Sequence, residues 1–339
     1  MGHAVEVVSA RRPARLGCTH HELPFGFTLT FGPEKRAGER ALGEIDTREL
    51  RELQDQAAQS IAFDAFAAGV PDLLLVNHIS LLAGAALGLS VRFDVPYRIT
   101  SYGTDTAMLL RYPSHAAQFT EAARRAERLF AISSYVAQQV AAATSVGPVE
   151  VLGGAVDPTF FHPPVTPRVP GNRIAFVGRL VTEKGIWTLL DAFGQQWAAS
   201  DLDVIGEGPL LNPIRNYLVD SPSGRRVHLH GYVAPERLSE VLERSELLVV
   251  PSTWQEPLGL VVLEAMACGI PALATAVGGI PEMIDHGVNG YLVPPGNAQA
   301  LAEGINDILG NRSVLLSLRR GCNEREIPTY TDLAERMIA

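Results

Sequence analysis

The stretch EPLGLVVLEAMACGIPALATAVGGIPEMIDHGVNGYLVPP, residues 256–295, decides the fold of this chain. Two carboxylates, Glu256 and Glu264, lie at its start and are separated by seven residues. Pro257 favours a helix start, because a proline lacks the N–H group that would find no helical partner there. Gly259 lets the backbone approach a ligand closely. On such a helix Glu264 lies about two turns beyond the first residues.

The start of this helix predicts an anion site. The first N–H groups of a helix have no partner within it, and they attract phosphate groups. A diphosphate bound there would have Glu256 on one side and Glu264 on the other. The predicted phosphate site consists of Pro257, Leu258, Gly259 and Leu260.

Size and composition narrow the class of protein. A chain of 339 residues predicts two domains, and 47% apolar with 19% charged residues indicates a globular protein. The net charge of −9 argues against a nucleic-acid surface. Three scattered cysteines predict neither a disulfide framework nor a metal cluster.

Short apolar strands alternate with amphipathic helices along the whole chain, which predicts an α/β fold with parallel sheets. We expect two doubly wound, Rossmann-like domains facing across a cleft, with ligands at the carboxyl ends of the strands. The predicted strands are 4–10, 72–78, 97–102, 128–133 and 149–155, then 173–178, 202–208, 227–232, 247–252, 271–275 and 290–295. The predicted helices of the first half are 47–68, 79–93, 115–127 and 134–143. The predicted domain ranges are 1–162, a proline-rich linker 163–171, 172–325 and a C-terminal helical segment 326–339.

The stretch 256–295 resembles the Glu–seven residues–Glu signature of retaining glycosyltransferases of the GT-B fold, namely family 4, the glycosyl transferases group 1. In that family the first Glu contacts hydroxyls of the donated sugar and the second holds the nucleotide ribose. The resemblance implies these roles for Glu256 and Glu264.

Three further segments of the second half extend the resemblance. FVGRLVTEKG (176–185) is similar to the family segment in which an Arg and a Lys neutralise the donor phosphates, which implies that role for Arg179 and Lys184. VIGEGPLLNPIRNYL (204–218) is similar to a strand, a tight turn beside the donor and a helix. HGYVAPERLSEVLERSELLVVPS (230–252) is similar to the section whose loop after Gly231 contacts the base through its backbone. The implied donor-site residues beyond the cations are Gly178, Gly206, Tyr232 and Val233.

The first half resembles the acceptor side of the family. NHISLLAGAALGL (77–89) and SYGTDTAML (101–109) are similar to two strand-to-helix junctions at the cleft. Tyr102 stands where many relatives have a His, which places any acid–base role of that position in question. The implied acceptor-side residues are Asn77, His78, Tyr102, Gly103 and Asp105.

One segment suggests an alternative hypothesis, a metal site. Asp201-Leu202-Asp203 has the DxD spacing that other glycosyltransferases use for a divalent cation. Because side chains alternate along a strand, both carboxylates point to one side where a strand begins. We therefore expect no metal and no other cofactor, since Arg179 and Lys184 supply the positive charge.

The start of the chain departs from the family pattern. Relatives have a strand, a glycine-rich loop and a helix before a segment like GHAVEVVSA, and this chain opens at that segment, residues 2–10. The resemblance therefore predicts an incomplete N-terminal domain that lacks its first strand. Arg11, Arg12 and Arg15 offer a weak peripheral contact with an anionic membrane, although such arginines are usually just solvated.

The sequence thus predicts a cytoplasmic enzyme that transfers a sugar from a nucleotide-diphosphate sugar to an unidentified glycan, lipid or small-molecule acceptor. The mechanism implied by the resemblance is retaining and metal-independent. Two alternatives stay open. One is a non-catalytic nucleotide-sugar-binding protein or degraded copy, which the incomplete start and Tyr102 favour. The other is a sugar-nucleotide 2-epimerase, which shares the fold but lacks the Glu–seven–Glu string.

Overall fold

The computed structural model describes residues 6–9, 19–22, 28–30, 39–41, 45–66, 69–79, 81–164, 171–196 and 200–339. By internal contacts the chain divides into a first unit, Met1–Leu152, and a second unit, Gly153–Ala339. Both are α/β units with parallel sheets. Most of the proline-rich segment 163–171 and the three arginines at 11, 12 and 15 lie outside the described residues, so the predictions made for them stay predictions.

The first unit is built on a parallel sheet of four strands in the order β5-β6-β7-β8. Apolar side chains cover this sheet, and the central strand β6 is buried along its whole length. Two short parallel pairs, β1 with β2 and β3 with β4, precede it. The strands are β1 Glu6–Ser9, β2 Thr19–Glu22, β3 Thr28–Thr30, β4 Glu39–Ala41, β5 Leu74–Asn77, β6 Tyr97–Ser101, β7 Arg128–Ala131 and β8 Glu150–Val151.

Five α-helices of the first unit are described. Asp46 begins the first of them by accepting hydrogen bonds from the N–H groups of Arg48 and Glu49, as a good N-cap does. The helices are α1 Thr47–Ser60, which continues as a π-helical turn Ile61–Ala65, α2 Leu81–Phe93, α3 Thr104–Arg111, α4 Pro113–Arg125 and α5 Ser134–Thr144. The sequence patterns predict all of these except α3.

The second unit holds a parallel sheet of six strands in the order β11-β10-β9-β12-β13-β14. Each strand lies within or beside its predicted range, because continuous apolar runs are typical of buried parallel strands. The strands are β9 Arg173–Val177, β10 Asp201–Ile205, β11 Val227–Gly231, β12 Leu247–Val250, β13 Ala272–Thr275 and β14 Gly290–Val293.

Helices pack on this sheet, and its main core lies between the strands and α6, α7, α10 and α11. Phe176, Phe193 and Ile305 are among the fully buried side chains there. The helices are α6 Ile186–Gln196, α7 Leu211–Asp220, α8 Pro235–Glu243, α9 Leu260–Ala267, α10 Ala298–Gly310, α11 Arg312–Glu324 and α12 Tyr330–Ile338. Among the described residues, no helix has the length and apolar character needed to cross a membrane.

Candidate active site

The strand order of the second unit reverses direction between β9 and β12. The chain places β10 and β11 on one side of β9, and β12, β13 and β14 on the other. The loops after β9 and β12 therefore leave the same edge of the sheet side by side. Open α/β sheets bind their ligands at such a switch point, outside the carboxyl ends of the strands. Residues 178–185 and 251–259 form these two loops.

Backbone contacts hold the two loops together. The N–H of Thr253 donates to the carbonyl oxygen of Glu183 at 2.9 Å. Gly185 has φ +70°, and a Cβ there would lie 1.8 Å from the carbonyl oxygen of Pro251. Only glycine permits this approach, so the loop after β9 is closely packed on the loop after β12.

Lys184 and Glu256 meet where these loops join. The Nζ of Lys184 lies 2.5 Å from Oε1 of Glu256, and the hydroxyl of Ser252 donates to the same oxygen at 2.5 Å. Glu256 is only 4% exposed. A buried carboxylate needs such partners, since its desolvation costs several kcal/mol. The structure thus brings together two residues that the sequence analysis assigned to one site.

The backbone of Glu256 is fixed by the glycine pair that follows β13. The N–H of Gly279 donates to the carbonyl oxygen of Glu256, and the N–H of Gly278 donates to Oε1 of Gln255, both at 2.8 Å. Gly278 has φ +53°, and a Cβ there would lie 1.9 Å from the same Glu256 oxygen. The loop that carries Glu256 is therefore held by the loop after β9 and by the glycine pair after β13.

The helix α9 begins later than the sequence suggests. Its first residue is Leu260, and Gly259 is its N-cap with φ +89°. Pro257 and Leu258 therefore belong to the loop, and the prediction that Pro257 starts the helix is wrong, because the left-handed backbone of Gly259 interrupts it. Glu264 consequently lies about one turn into the helix and not two. No described side chain caps the first turn of α9.

Glu264 lies in the second turn of α9 and is largely buried. Burial raises the pKa of its carboxyl group to about 7. Burial and then the neighbouring carboxylates of Glu264 and Asp157 raise the pKa of Tyr330 at the start of α12. Hydrogen bonds donated by a ligand would stabilise the ionised form of this buried carboxyl group.

Three loops at the same sheet edge meet through glycine backbones. The N–H of Gly178 donates to Ile205 at 3.0 Å, and the N–H of Gly206 donates to Gly231 at 2.8 Å. Gly206 has φ +138°, and a Cβ on it would lie 1.9 Å from the carbonyl oxygen of Gly178. Arg179 follows Gly178 and is exposed.

The loop after β11 carries the two residues that were predicted to face the base. The ring of Tyr232 is 69% exposed, and Val233 is half-buried. The N–H of Tyr232 donates to Oε1 of Glu207 at 3.4 Å, which makes Glu207 a neighbour of this backbone.

The predicted acceptor-side residues of the first unit also cluster. Asn77 and His78 follow β5, Tyr102 follows the neighbouring strand β6, and the hydroxyl of Tyr102 donates to Oδ1 of Asn77 at 3.2 Å. The rings of His78 and Tyr102 lie 5.0 Å apart between centroids. His78 has φ +71°, a conformation that costs energy for a residue with a side chain and that is often found at functional sites.

Asp105 supports this cluster from below. Only 1% of it is exposed, and its carboxylate accepts hydrogen bonds from the N–H of Ile79, the N–H of Gly103 and the hydroxyl of Ser101. Burial raises the pKa of Asp105, but His78, with Nδ1 at 3.8 Å, and the hydrogen bonds outweigh burial and hold the pKa below its usual value. Asp105 therefore orients its neighbours and is not itself at the surface.

The two carboxylates of the DxD segment lie on one face of β10, as alternation predicts. Asp203 accepts two hydrogen bonds from Arg173 and lies 2.7 Å from Nε2 of His230. Asp201 lies 3.4 Å from Arg173. Among the described residues, no group of three or more His, Cys, Asp or Glu is arranged to hold a metal ion.

Known proteins resemble this chain in sequence and in structure. Residues 160–326 match the family model described as Glycosyl transferases group 1. An uncharacterised glycosyltransferase of Methanocaldococcus jannaschii is 26% identical over 250 residues, which are 72% of this chain and 68% of that protein. The solved sucrose-phosphate synthase of Thermosynechococcus elongatus superposes with a TM-score of 0.75 at 22% identity, over 98% of this chain and 87% of its own. The chain is a glycosyltransferase of the GT-B fold, and its second half matches the group 1 family.

Two further similar proteins have names or titles that state a substrate or a ligand. The 2-deoxystreptamine N-acetyl-D-glucosaminyltransferase of Streptomyces fradiae is 29% identical over 255 residues, which are 69% of this chain but only 59% of that protein. The Anabaena protein HepE, solved with UDP-glucose, has a TM-score of 0.69 at 20% identity, over 84% of this chain and 82% of its own.

Three residues of this candidate site were not predicted from the sequence. Ser252 binds the Glu256 carboxylate, Gln255 binds the Gly278 backbone, and Trp254 packs on Lys184. Their position between the end of β12 and Glu256 is the one signal that would have indicated them.

Proposed function

We propose that this glycosyltransferase is a family 4 enzyme of the cytoplasm that transfers a hexosyl group from a nucleoside diphosphate sugar to an acceptor hydroxyl with retention of anomeric configuration. The observation that carries the proposal is the contact of Lys184 with the buried carboxylate of Glu256 at the switch point of the second unit. It joins a phosphate-binding cation and a sugar-binding carboxylate in one constellation.

The diphosphate would lie over the loop after β9 and the start of α9. Lys184 and Arg179 supply positive charge, and the uncapped first turn of α9 supplies N–H groups. As the bond to the sugar breaks, negative charge grows on the leaving phosphate. Groups fixed in advance around that charge give the largest catalytic contribution in such sites.

The two glutamates would hold the other parts of the donor. Glu256 accepts hydrogen bonds from hydroxyls of the transferred sugar through the carboxylate oxygen that Lys184 and Ser252 leave, and so fixes the reactive pose. Glu264 accepts hydrogen bonds from the ribose hydroxyls. The backbone of Tyr232 and Val233, beside Gly206, would contact the base.

The transfer requires one exchange of bonds. The bond between the anomeric carbon and the phosphate oxygen breaks, and the acceptor oxygen bonds to the same carbon from the same face. The proton of the acceptor hydroxyl passes to the departing phosphate oxygen. This balance needs no carboxylate nucleophile, no metal ion and no other cofactor.

The acceptor would contact the Asn77, His78 and Tyr102 cluster of the first unit. These side chains offer an amide, an imidazole and a phenol at one sheet edge, which suits an acceptor with several hydroxyl groups. Gly103 and Asp105 hold the cluster in place through their hydrogen bond.

Calorimetric titration with UDP, GDP and ADP tests the donor site. HepE, whose structure contains UDP-glucose, supports UDP as the first nucleotide to try. We expect one nucleotide to bind, and Lys184→Ala and Glu264→Ala to weaken that binding at least tenfold. A folded chain that binds none of the three nucleotides would overturn the proposed donor site.

Product analysis tests the reaction. With the sugar nucleotide of the bound base, an acceptor panel and EDTA, NMR should show an anomeric configuration equal to that of the donor. An inverted product, or loss of activity in EDTA, would contradict the retaining or the metal-independent mechanism. Nucleotide binding without transfer or donor hydrolysis would favour the non-catalytic binder, and donor isomerisation without acceptor would identify an epimerase.

A further inference from the structure

Trp254 lies in the donor site although no sequence motif indicates it. It precedes Glu256 by two residues, on the loop that leaves β12. Its side chain stays partly exposed, with 38% of the residue accessible to solvent. Full burial of a large aromatic ring stabilises a fold more than partial exposure does, so a partly exposed tryptophan beside a ligand site suggests a role in that site.

The ring has one specific charged neighbour. The Nζ of Lys184 lies over the Trp254 ring, 5.7 Å from its centroid. An ammonium group within about 6 Å of an indole face is attracted by the negative face of the ring. The same ammonium contacts Oε1 of Glu256. Lys184 is therefore held between a carboxylate and an aromatic face.

The surroundings of Trp254 keep the ring in place. Thr253 on one side is bonded to Glu183 of the opposite loop, and Gln255 on the other side is bonded to Gly278. The chain is thus held on both sides of Trp254, by the backbone of Thr253 and by the side chain of Gln255. Lys184, by contrast, has a flexible stem of four carbons, which needs partners to hold one position.

From these contacts we propose that Trp254 is a positioning residue of the donor site: its ring holds the Lys184 ammonium where the donor diphosphate binds. This inference rests on the proposed function. The carboxylate of Glu256 alone would draw Lys184 toward the sugar side. The ring limits that movement, and the Lys184 side chain, which is 26% exposed, stays accessible to a phosphate oxygen.

A double-mutant cycle on the full chain tests the role. The variants are Trp254→Leu, which keeps apolar bulk, Trp254→Phe, which keeps a ring face, Lys184→Met, and Lys184→Met with Trp254→Leu. The probe is the nucleoside diphosphate that the wild type binds among UDP, GDP and ADP, with its monophosphate for comparison. Tyr112→Leu is a matched control, because Arg111 lies over the Tyr112 ring at the same 5.7 Å in the first unit.

We expect Trp254→Leu to weaken diphosphate binding about tenfold, within the range of a partly desolvated cation–π contact. Monophosphate affinity should fall less, Trp254→Phe should stay within threefold of wild type, and Tyr112→Leu should change neither. In the Lys184→Met background, Trp254→Leu should have no further effect. Additive losses, or equal losses for both nucleotides, would overturn the positioning role.

Indole fluorescence of the empty protein tests the contact without any nucleotide. Lys184→Met should shift the emission of the wild type but not that of Trp254→Phe, because only the first retains the Trp254 ring. If that shift is absent, the contact is wrong whatever the chain binds. If the shift is present but no nucleotide binds, the proposed donor site fails and the role of Trp254 in it fails as well.

Discussion

At Glu264 the protonation state should affect both the stability of the fold and the proposed binding of the donor. Its pKa is raised by burial to about 7, while an unfolded glutamate ionises near its ordinary value. Between these two values the folded chain holds a proton that the unfolded chain has lost. Stability therefore falls as pH rises from about 4.5 to about 7, which is the opposite of the usual carboxylate case.

The first prediction follows from that sign. Glu264→Gln removes the ionising group and keeps the shape, so the variant should be more stable than wild type by about 3 kcal/mol at pH 8. At pH 4 the carboxyl group is mostly protonated in both the folded and the unfolded wild type, so the two proteins should have nearly equal free energies of unfolding. Urea unfolding at the two pH values measures the difference. Equal stabilities at pH 8 would mean that Glu264 is solvated.

The second prediction concerns binding at the same residue. An ionised carboxylate accepts hydrogen bonds from ribose hydroxyls more strongly than a neutral one. Nucleotide affinity should therefore rise between pH 6 and pH 8 in the wild type. In Glu264→Gln it should be weaker and lack this rise. Titration calorimetry across that range, with a correction for nucleotide phosphate ionisation, provides the comparison.

The third prediction separates stability from activity at Lys184 and Glu256. Among the described residues, Lys184→Met leaves Ser252 as the remaining side-chain partner of the buried Glu256 carboxylate, which should destabilise the fold by roughly 3 kcal/mol. Adding Glu256→Gln removes the stranded charge and should restore most of that stability. Donor binding should stay weak in the double variant, because both proposed ligand groups are gone. Thermal unfolding and nucleotide titration of the same samples measure the two effects, and unrestored stability would contradict the explanation.

At the scale of elements, the glycine-rich loops determine how closely three strands end together. Gly206 is the clearest case, since its φ is +138° and the Gly178 oxygen would lie 1.9 Å from an added Cβ. Gly206→Ala should therefore cost on the order of 3 kcal/mol and should weaken nucleotide binding. Gly194→Ala is the matched control. Gly194 lies within α6 with nothing within 4 Å of a new Cβ, so that variant should gain up to about 1 kcal/mol.

Both effects are read from chemical denaturation, together with nucleotide affinity. A Gly206→Ala variant as stable as wild type would mean that the loop after β10 can move away from Gly178. That outcome would also weaken the assignment of Gly206 to a fixed donor site.

The strands of the second unit follow from sequence more directly than its loops. Runs such as LLVV of β12 are apolar throughout, and a buried parallel strand requires that pattern. The start of α9 does not follow in this way, because a proline favours a helix start in general while the backbone of Gly259 decides it here. The apolar pattern does not predict the helix α3, because SYGTDTAML, residues 101–109, is rich in glycine and polar residues, although its resemblance to a strand-to-helix junction is consistent with a helix there.

Some features of the candidate site follow from local sequence, and others depend on how the chain packs. The spacing of Glu256 and Glu264 on one helix and its preceding loop is a local property, and the sequence carries it. The contact of Lys184 with Glu256 joins residues 72 positions apart and depends on strand order. Trp254, Ser252 and the burial of Asp105 depend on packing, which a single sequence does not contain.

At the scale of the whole molecule, every residue proposed to bind the donor belongs to the second unit, Gly153–Ala339. That unit has a complete six-stranded sheet and its own apolar core. A fragment of residues 153–339 should therefore fold cooperatively and bind the same nucleotide as the full chain within about threefold, since the binding contacts are all retained. Transfer to an acceptor should be absent, because Asn77, His78 and Tyr102 are missing. A folded fragment that does not bind the nucleotide would show that the first unit supplies part of the donor site.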